Sequence, residues 1–273
     1  MQWPDRIDEP IDVYLNKVGR VVRTFGERTD SRARIVGVQA EGERFVVKLA
    51  ADPEAVAWLQ SAVRFHAAVQ HPVIGRVLAS FPHPTGFALV EQWVPGEPLF
   101  DPFDPTRLPR HHPDSADQRF RRLPAREIAR AVGSLIDAHL AVAQASFVAV
   151  DLYEGCIMWD AESCTVSLID LDHYQPGPYV LDGERQIGSL SLMAPEELVQ
   201  GSVIDERTTV YTLGRLAIVL LGCARREQPD RKHFRGTESQ FAIGTRATQP
   251  NPADRWQTVE ELATGWAATF PTA

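Results

Sequence analysis

Three apolar, β-branched stretches dominate the first fifty residues: VGRVVRTF from Val18, ARIVGVQA from Ala33 and RFVVKLA from Arg44. Glycine and charged clusters separate them, the last two by Glu41, Gly42 and Glu43, and this pattern predicts strands joined as hairpins. Asp52-Pro53-Glu54 predicts a helix start, with a capping carboxylate, a proline suited to the first helical position and an acid that complements the dipole. Val56, Leu59 and Val63 carry helical spacing on to about Gln70. Two more strands are predicted in GRVLASF and GFALVEQWV, with a turn from Pro82 to Gly86.

Beyond Gly96 the pattern changes. Residues 96–124 hold six prolines and many charges without a sustained period, which predicts a long irregular segment. Ile128, Ala131, Leu135 and Ile136 then mark an amphipathic helix from Pro124 to about Ala145. FVAV, CIMWD and VSLID read as short strands, the remainder as mostly helical, and Thr258 with Glu261 as a capping box for the last helix. Five strands with one early helix, then a mainly helical remainder, predict an α+β chain. It divides near Gly96 into a small lobe, residues 1–95, and a larger one, residues 96–273.

Composition narrows the classes. A hydrophobic share of 44% suffices for a core, and a net charge of −8 argues against nucleic acid or an anionic membrane as a partner. MQWPDRIDEP lacks a basic segment followed by an apolar one, and the run from Val210 to Leu221 is too short and polar to cross a bilayer. Cys156, Cys164 and Cys223 form no C-x-x-C pair. The expectation is a soluble cytoplasmic protein with reduced thiols.

Three polar residues at strand ends carry candidate chemistry. Lys48 closes the apolar FVVK, where an ammonium is either a solvated edge residue or a buried cation held against phosphates. Asp151 follows FVAV and is either a turn residue or a carboxylate that orients a hydroxyl. Asp170 ends VSLID nineteen residues later, with Asp172 at the same alternation, and a carboxylate there suits Mg²⁺.

In this order, these residues resemble the protein-kinase family. The likeness continues through SLSLMAPEEL, with Ala194-Pro195-Glu196 as the family's A-P-E, and through DERTTVYTLGRL, similar to its buried helix. NPADRWQTVEEL, HPVIGRVL and LVEQWVPGEPL also fit, so the likeness covers roughly residues 20–266. The segment from DLYEGCIMWD to GSLSLMAPEE looks like an atypical bacterial group of serine/threonine kinase-like proteins with a D-x-D metal motif. Acidic residues after the metal Asp also occur in aminoglycoside and choline phosphotransferases.

The resemblance implies a bilobal fold, ATP and Mg²⁺ as cofactors, and a protein or small-molecule phosphoacceptor. It makes Lys48 the holder of the α/β phosphates, Asp151 the catalytic Asp, and Asp170, with Asp172 beside it, the metal ligand. The backbone of Glu91 and Trp93 would meet adenine, with Val46 packed over the base. Phosphoryl transfer would then rest on positioning and charge neutralisation.

The sequence also departs from the pattern. Gly26 in FGERTDSRARI replaces a full glycine-rich loop. The early helix has no acid after Glu54 to pair with Lys48, which leaves Gln60 as the stand-in. Cys156 occupies the place of a metal-binding Asn, and Thr209 that of a bracing Asp, which predicts a weaker support under the catalytic loop. Ala149-Val150 replaces His-Arg, and residues 171–187 contain no Ser or Thr, so switching by phosphorylation of that loop is not expected.

The remaining features read as scaffold or surface. Arg119, Arg121, Arg122, Arg126 and Arg130 form either a solvated face or an anion site. His111-His112 reads as loop surface, and Trp58 and Trp266 as core or interface.

Overall fold

The computed structural model describes residues 1–25, 33–101, 104, 106–225 and 228–271. A short helix, α1 (Ile11–Val18), precedes β1 (Arg20–Thr24), β2 (Ala33–Ala40), β3 (Glu43–Ala50), α2 (Pro53–Ala68), β4 (Val77–His83) and β5 (Gly86–Gln92). The five strands form one antiparallel sheet in the order β1-β2-β3-β5-β4. Ala40 pairs with Glu43, so β2 and β3 are joined by Glu41-Gly42 alone. Both residues have positive φ, as a two-residue hairpin turn demands.

Alternation along β3 and β5 sorts the side chains between two faces. Phe45, Val47, Leu49, Ala88 and Val90 pack with Ile7, Ile11 and Leu15 of the N-terminal segment. Leu89 and Ala50 face α2, where they meet Ala55, Leu59 and Ala62. The start of α2 is built as its residues predict: Asp52 accepts from the N–H groups of Glu54 and Ala55, and Pro53 takes the first position. The helix α1 corrects the expectation of one helix in this part. It has no side-chain cap, and Ile11 and Leu15 hold it by burial on the sheet.

The second part contains β6 (Glu97–Pro98), α3 (Ala116–Arg121), α4 (Ala125–Gln144), β7 (Phe147–Val148), β8 (Ile157–Asp160), β9 (Thr165–Leu168), β10 (Gln175–Pro176), β11 (Tyr179–Val180), β12 (Val203–Ile204), α5 (Glu206–Leu220), α6 (Glu238–Ala247) and α7 (Val259–Ala267). Its core gathers around α4, whose Ile128, Val132, Leu135, Ile136 and Val142 meet buried side chains of α5 and α7. Trp266 is buried there and donates to Ala129 O at 3.0 Å. FVAV pairs over only two residues, and residues 170–204 are mainly irregular with two-residue strands, which corrects the mostly helical expectation. The last cap is half a capping box: Thr258 accepts from Glu261 N, but the Glu261 carboxylate turns to Gln257 N. No described helix is long and apolar enough to cross a membrane.

Two seams join the parts. Val73 O accepts from Leu168 N at 2.6 Å, and Leu168 O accepts from Gly75 N at 2.8 Å, which ties the approach to β4 to the end of β9. At the boundary, Gly96 has φ +91°, and a Cβ there would lie 2.3 Å from Trp159 O, so both conformation and space require glycine.

Glu197 lies buried in the short 3₁₀ turn that Pro195 opens. Burial pushes its carboxyl from the ordinary 4.5 up to about 8, against the opposing hydrogen bond from Ala194 N. Between those values the unfolded chain has released the proton and the fold keeps it, so stability falls as pH rises and levels off above pH 8. Glu197→Gln removes this fall. In thermal melts from pH 5 to 9 the variant should match the parent at the acid end and exceed it by roughly 1–3 kcal/mol at the alkaline end. Parallel pH curves for the two proteins would refute this assignment.

Candidate functional site

The cleft between the sheet and the helical part is lined by apolar side chains from both sides. Ile35 of β2 and Val46 of β3 come from the sheet, Met158 of β8 and Ile169 from below, with Trp93, Val94 and Phe100 along the flank. It encloses about 120 Å³, with further space open to solvent at its mouth. Val46 and Lys48 point the same way on β3, so Lys48 enters the cleft at its inner end.

Lys48 is 3% exposed, so it is no solvated edge residue. Its Nζ lies 3.0 Å from Asp170 Oδ1, 2.7 Å from Asp172 Oδ2 and 3.3 Å from Glu91 Oε1. Burial alone would favour the neutral amine. The three carboxylates outweigh it and hold the Lys48 pKa well above its ordinary value. Glu91 responds in the opposite sense: burial and the neighbouring Asp172 and Asp170 push it up to about 7, against the pull of Lys48.

Asp170 and Asp151 both take left-handed backbone, at φ +61° and +58°. That conformation is uncommon for residues other than glycine, and Asp is among those that tolerate it best. Cys156 lies between them: its buried thiol donates to Asp151 O at 3.4 Å and lies 4.0 Å from Asp170 O. The polypeptide returns close to Asp151 at Gly188, where an added Cβ would be 3.5 Å from Asp151 Cα.

One expectation is corrected. Gln60 is exposed on α2, and the acid that reaches Lys48 from the sheet side is Glu91. Val46 pairs with Glu91 and Lys48 with Leu89, so Glu91 sits diagonally across from Lys48 on the same face of the sheet. The resemblance implies a backbone role for Glu91, and its side chain contacts Lys48 besides. Thr209 Oγ1 accepts from Ala149 N at 3.0 Å in buried surroundings, so a hydroxyl stands at the bracing position two residues before Asp151. Gly26 lies outside the described residues.

Two anchors, at Glu154 and Tyr174, have no obvious sequence signal, whereas a third is the pairing of Arg255 with Glu196 that the resemblance implies. Glu154, three residues after Asp151 and fully buried, binds Arg225 with Nη1 at 2.8 Å from Oε2. Tyr174, just beyond the D-x-D motif, joins His139 of α4 through a 2.7 Å hydrogen bond. The A-P-E glutamate, Glu196, receives both Nη1 and Nη2 of Arg255, at 2.6 and 2.8 Å.

The arginine cluster is largely spent internally. Arg119 pairs with Glu97, Arg121 with Asp117 at 2.8 Å and with Val219 O, and Arg122 donates to Pro113 O, while Arg126 and Arg130 are exposed. Across the cleft mouth, Arg23 of β1 pairs with Asp104. Trp58 is half-buried, edge-on to His173.

No protein-family model matches this chain, and no curated protein matches it either. The site's chemistry therefore rests on its own geometry.

Proposed function

We propose that this protein is a kinase-like, bilobal phosphotransferase that uses ATP and Mg²⁺, with a serine or threonine hydroxyl of a protein as acceptor. The observation that carries the reading is the meeting of Lys48 and Asp170, 122 residues apart, at 3.0 Å at the inner end of an apolar slot. A flat base suits Ile35, Val46, Met158 and Ile169, and a phosphate chain suits the buried ammonium. The Glu196–Arg255 brace favours the protein-kinase side over a small-molecule kinase.

The residues fit a magnesium ion. Three carboxylates face one ammonium, and Asp172 Oδ1 is buried without a hydrogen-bond partner. Among the described residues no group of three or more His, Cys, Asp or Glu forms a ready-made cage. Mg²⁺ typically takes one or two carboxylates and completes its shell with water and phosphate oxygen. Asp170 and Asp172 would hold it, and it would supply charge neutralisation at the phosphates. Lys48 fixes the phosphate chain, the slot fixes the base, and Asp151 orients the acceptor hydroxyl and takes up its proton.

Cys156 favours a second reading, a module that binds nucleotide without transferring phosphate. Its soft thiol directs its proton to Asp151 O and is a poor magnesium ligand. Thermal melts test what both readings share. Mg·ATP at about 100 times its dissociation constant should stabilise the fold by about 2.7 kcal/mol. The gain should require Mg²⁺ and disappear in Asp170→Asn. No shift in the parent protein at saturating Mg·ATP would remove the nucleotide site altogether.

A further inference from the structure

The pairing around Lys48 supports one step more, resting on the nucleotide reading above. Lys48 has three carboxylate neighbours, and two of them, Asp170 and Asp172, are the residues assigned to the metal. The third, Glu91, comes from the sheet itself. The strands β3 and β5 are hydrogen-bonded neighbours, Lys48 stands opposite Leu89, and Glu91 follows two residues on. Its side chain is 13% exposed, at the inner end of the slot.

Helix α2 offers no substitute. Its only acid, Glu54, lies exposed in the first turn, and its buried face consists of Ala55, Leu59, Ala62 and Phe65. We infer that Glu91 is the positioning residue for Lys48, the carboxylate that keeps the ammonium directed at the phosphates once Asp170 and Asp172 are engaged elsewhere.

The arrangement has a mechanical consequence. Both partners lie on adjacent strands whose backbone register fixes their separation, so the pair survives displacement of α2. Readiness of Lys48 is thus built into the sheet and needs no helix movement. The alternative is that Glu91 merely fills the end of the slot, with Asp172 alone at 2.7 Å holding Lys48 in every state.

Affinities for Mg·ATP and for adenosine separate these possibilities. Adenosine reports on the slot alone, whereas ATP also reports on Lys48. Both should be measured by calorimetry on the full chain, for the parent, Glu91→Gln, Glu91→Ala and Lys48→Met. A charge-assisted hydrogen bond is worth enough that losing its orienting partner should cost roughly tenfold in the ATP-to-adenosine affinity ratio. We expect that loss in Glu91→Ala and a smaller one in Glu91→Gln, with ATP weakened more than adenosine in both. Lys48→Met sets the full size of the effect.

If Lys48→Met lowers the ratio and both Glu91 variants retain it, Glu91 has no positioning role. Equal weakening of ATP and adenosine would likewise assign it to slot shape and overturn the proposal. A parent protein that binds neither ligand would instead refute the nucleotide reading on which it stands. Apo melting temperatures show whether Glu91→Ala remains folded, and the near-isosteric Glu91→Gln keeps the test open if it does not.

Discussion

Asp151→Asn should slow phosphoryl transfer by roughly 10²–10⁴-fold, the usual contribution of a positioned general base. Binding of Mg·ATP should be unaffected. Asparagine tolerates left-handed backbone, so the φ of +58° at this position can be kept. The backbone carbonyl that receives the Cys156 thiol is also retained. What disappears is the carboxylate's ability to take up a proton from the acceptor. ADP release under single-turnover conditions reads the rate, and the Mg·ATP melting shift reads binding. Equal ADP release by parent and variant, with binding intact in both, would leave Asp151 without a chemical role and favour the non-transferring module.

The largest stability loss is expected at Arg255. It is completely buried, and its guanidinium serves three separate segments. Nε donates to Gln249 O, Nη1 to Glu196 Oε1 and Arg207 O, and Nη2 to Glu196 Oε2 and Pro250 O. Arg255→Ala strands the Glu196 carboxylate, which keeps a hydrogen bond from the Thr208 hydroxyl at 2.9 Å. Removing one member of a buried pair costs about 3–5 kcal/mol, mostly through the uncompensated charge left behind. Urea unfolding should show the free energy of unfolding lowered by that amount, with the midpoint falling accordingly. Arg255→Lys should recover little, because an ammonium cannot reproduce the planar fork. A double variant, Arg255→Met with Glu196→Gln, should regain part of the loss. If Arg255→Ala unfolds at the parent's midpoint, the pair carries no structural weight.

The sequence carried some of this directly and hid the rest for physical reasons. Strands such as FVVK and the cap at Asp52 depend on a few adjacent residues, so local pattern sufficed. The separation of Lys48, Asp151 and Asp170 was legible as an order of motifs, and the structure brings Lys48 and Asp170 together. Helix α1 escaped because IDVYLNKV is rich in β-branched residues and lacks a capping side chain. What holds it is the sheet it covers, a tertiary effect.

Glu91 as a partner of Lys48 depends on the β3–β5 register, which no single strand announces. Its one visible signal was an acid closing the apolar run FALV. Glu154 and Arg225 lie 71 residues apart, and nothing in the spacing of either suggests the other.

Thr209 has a consequence of its own. The loop that leads to Asp151 hangs from its hydroxyl through the N–H of Ala149, and a hydroxyl has no charge to gain in acid or lose to salt. Glu91 in the cleft and Glu197 in its 3₁₀ turn do titrate. Acidification would change the charge at those two places while the hydrogen bond that moors the loop stays the same.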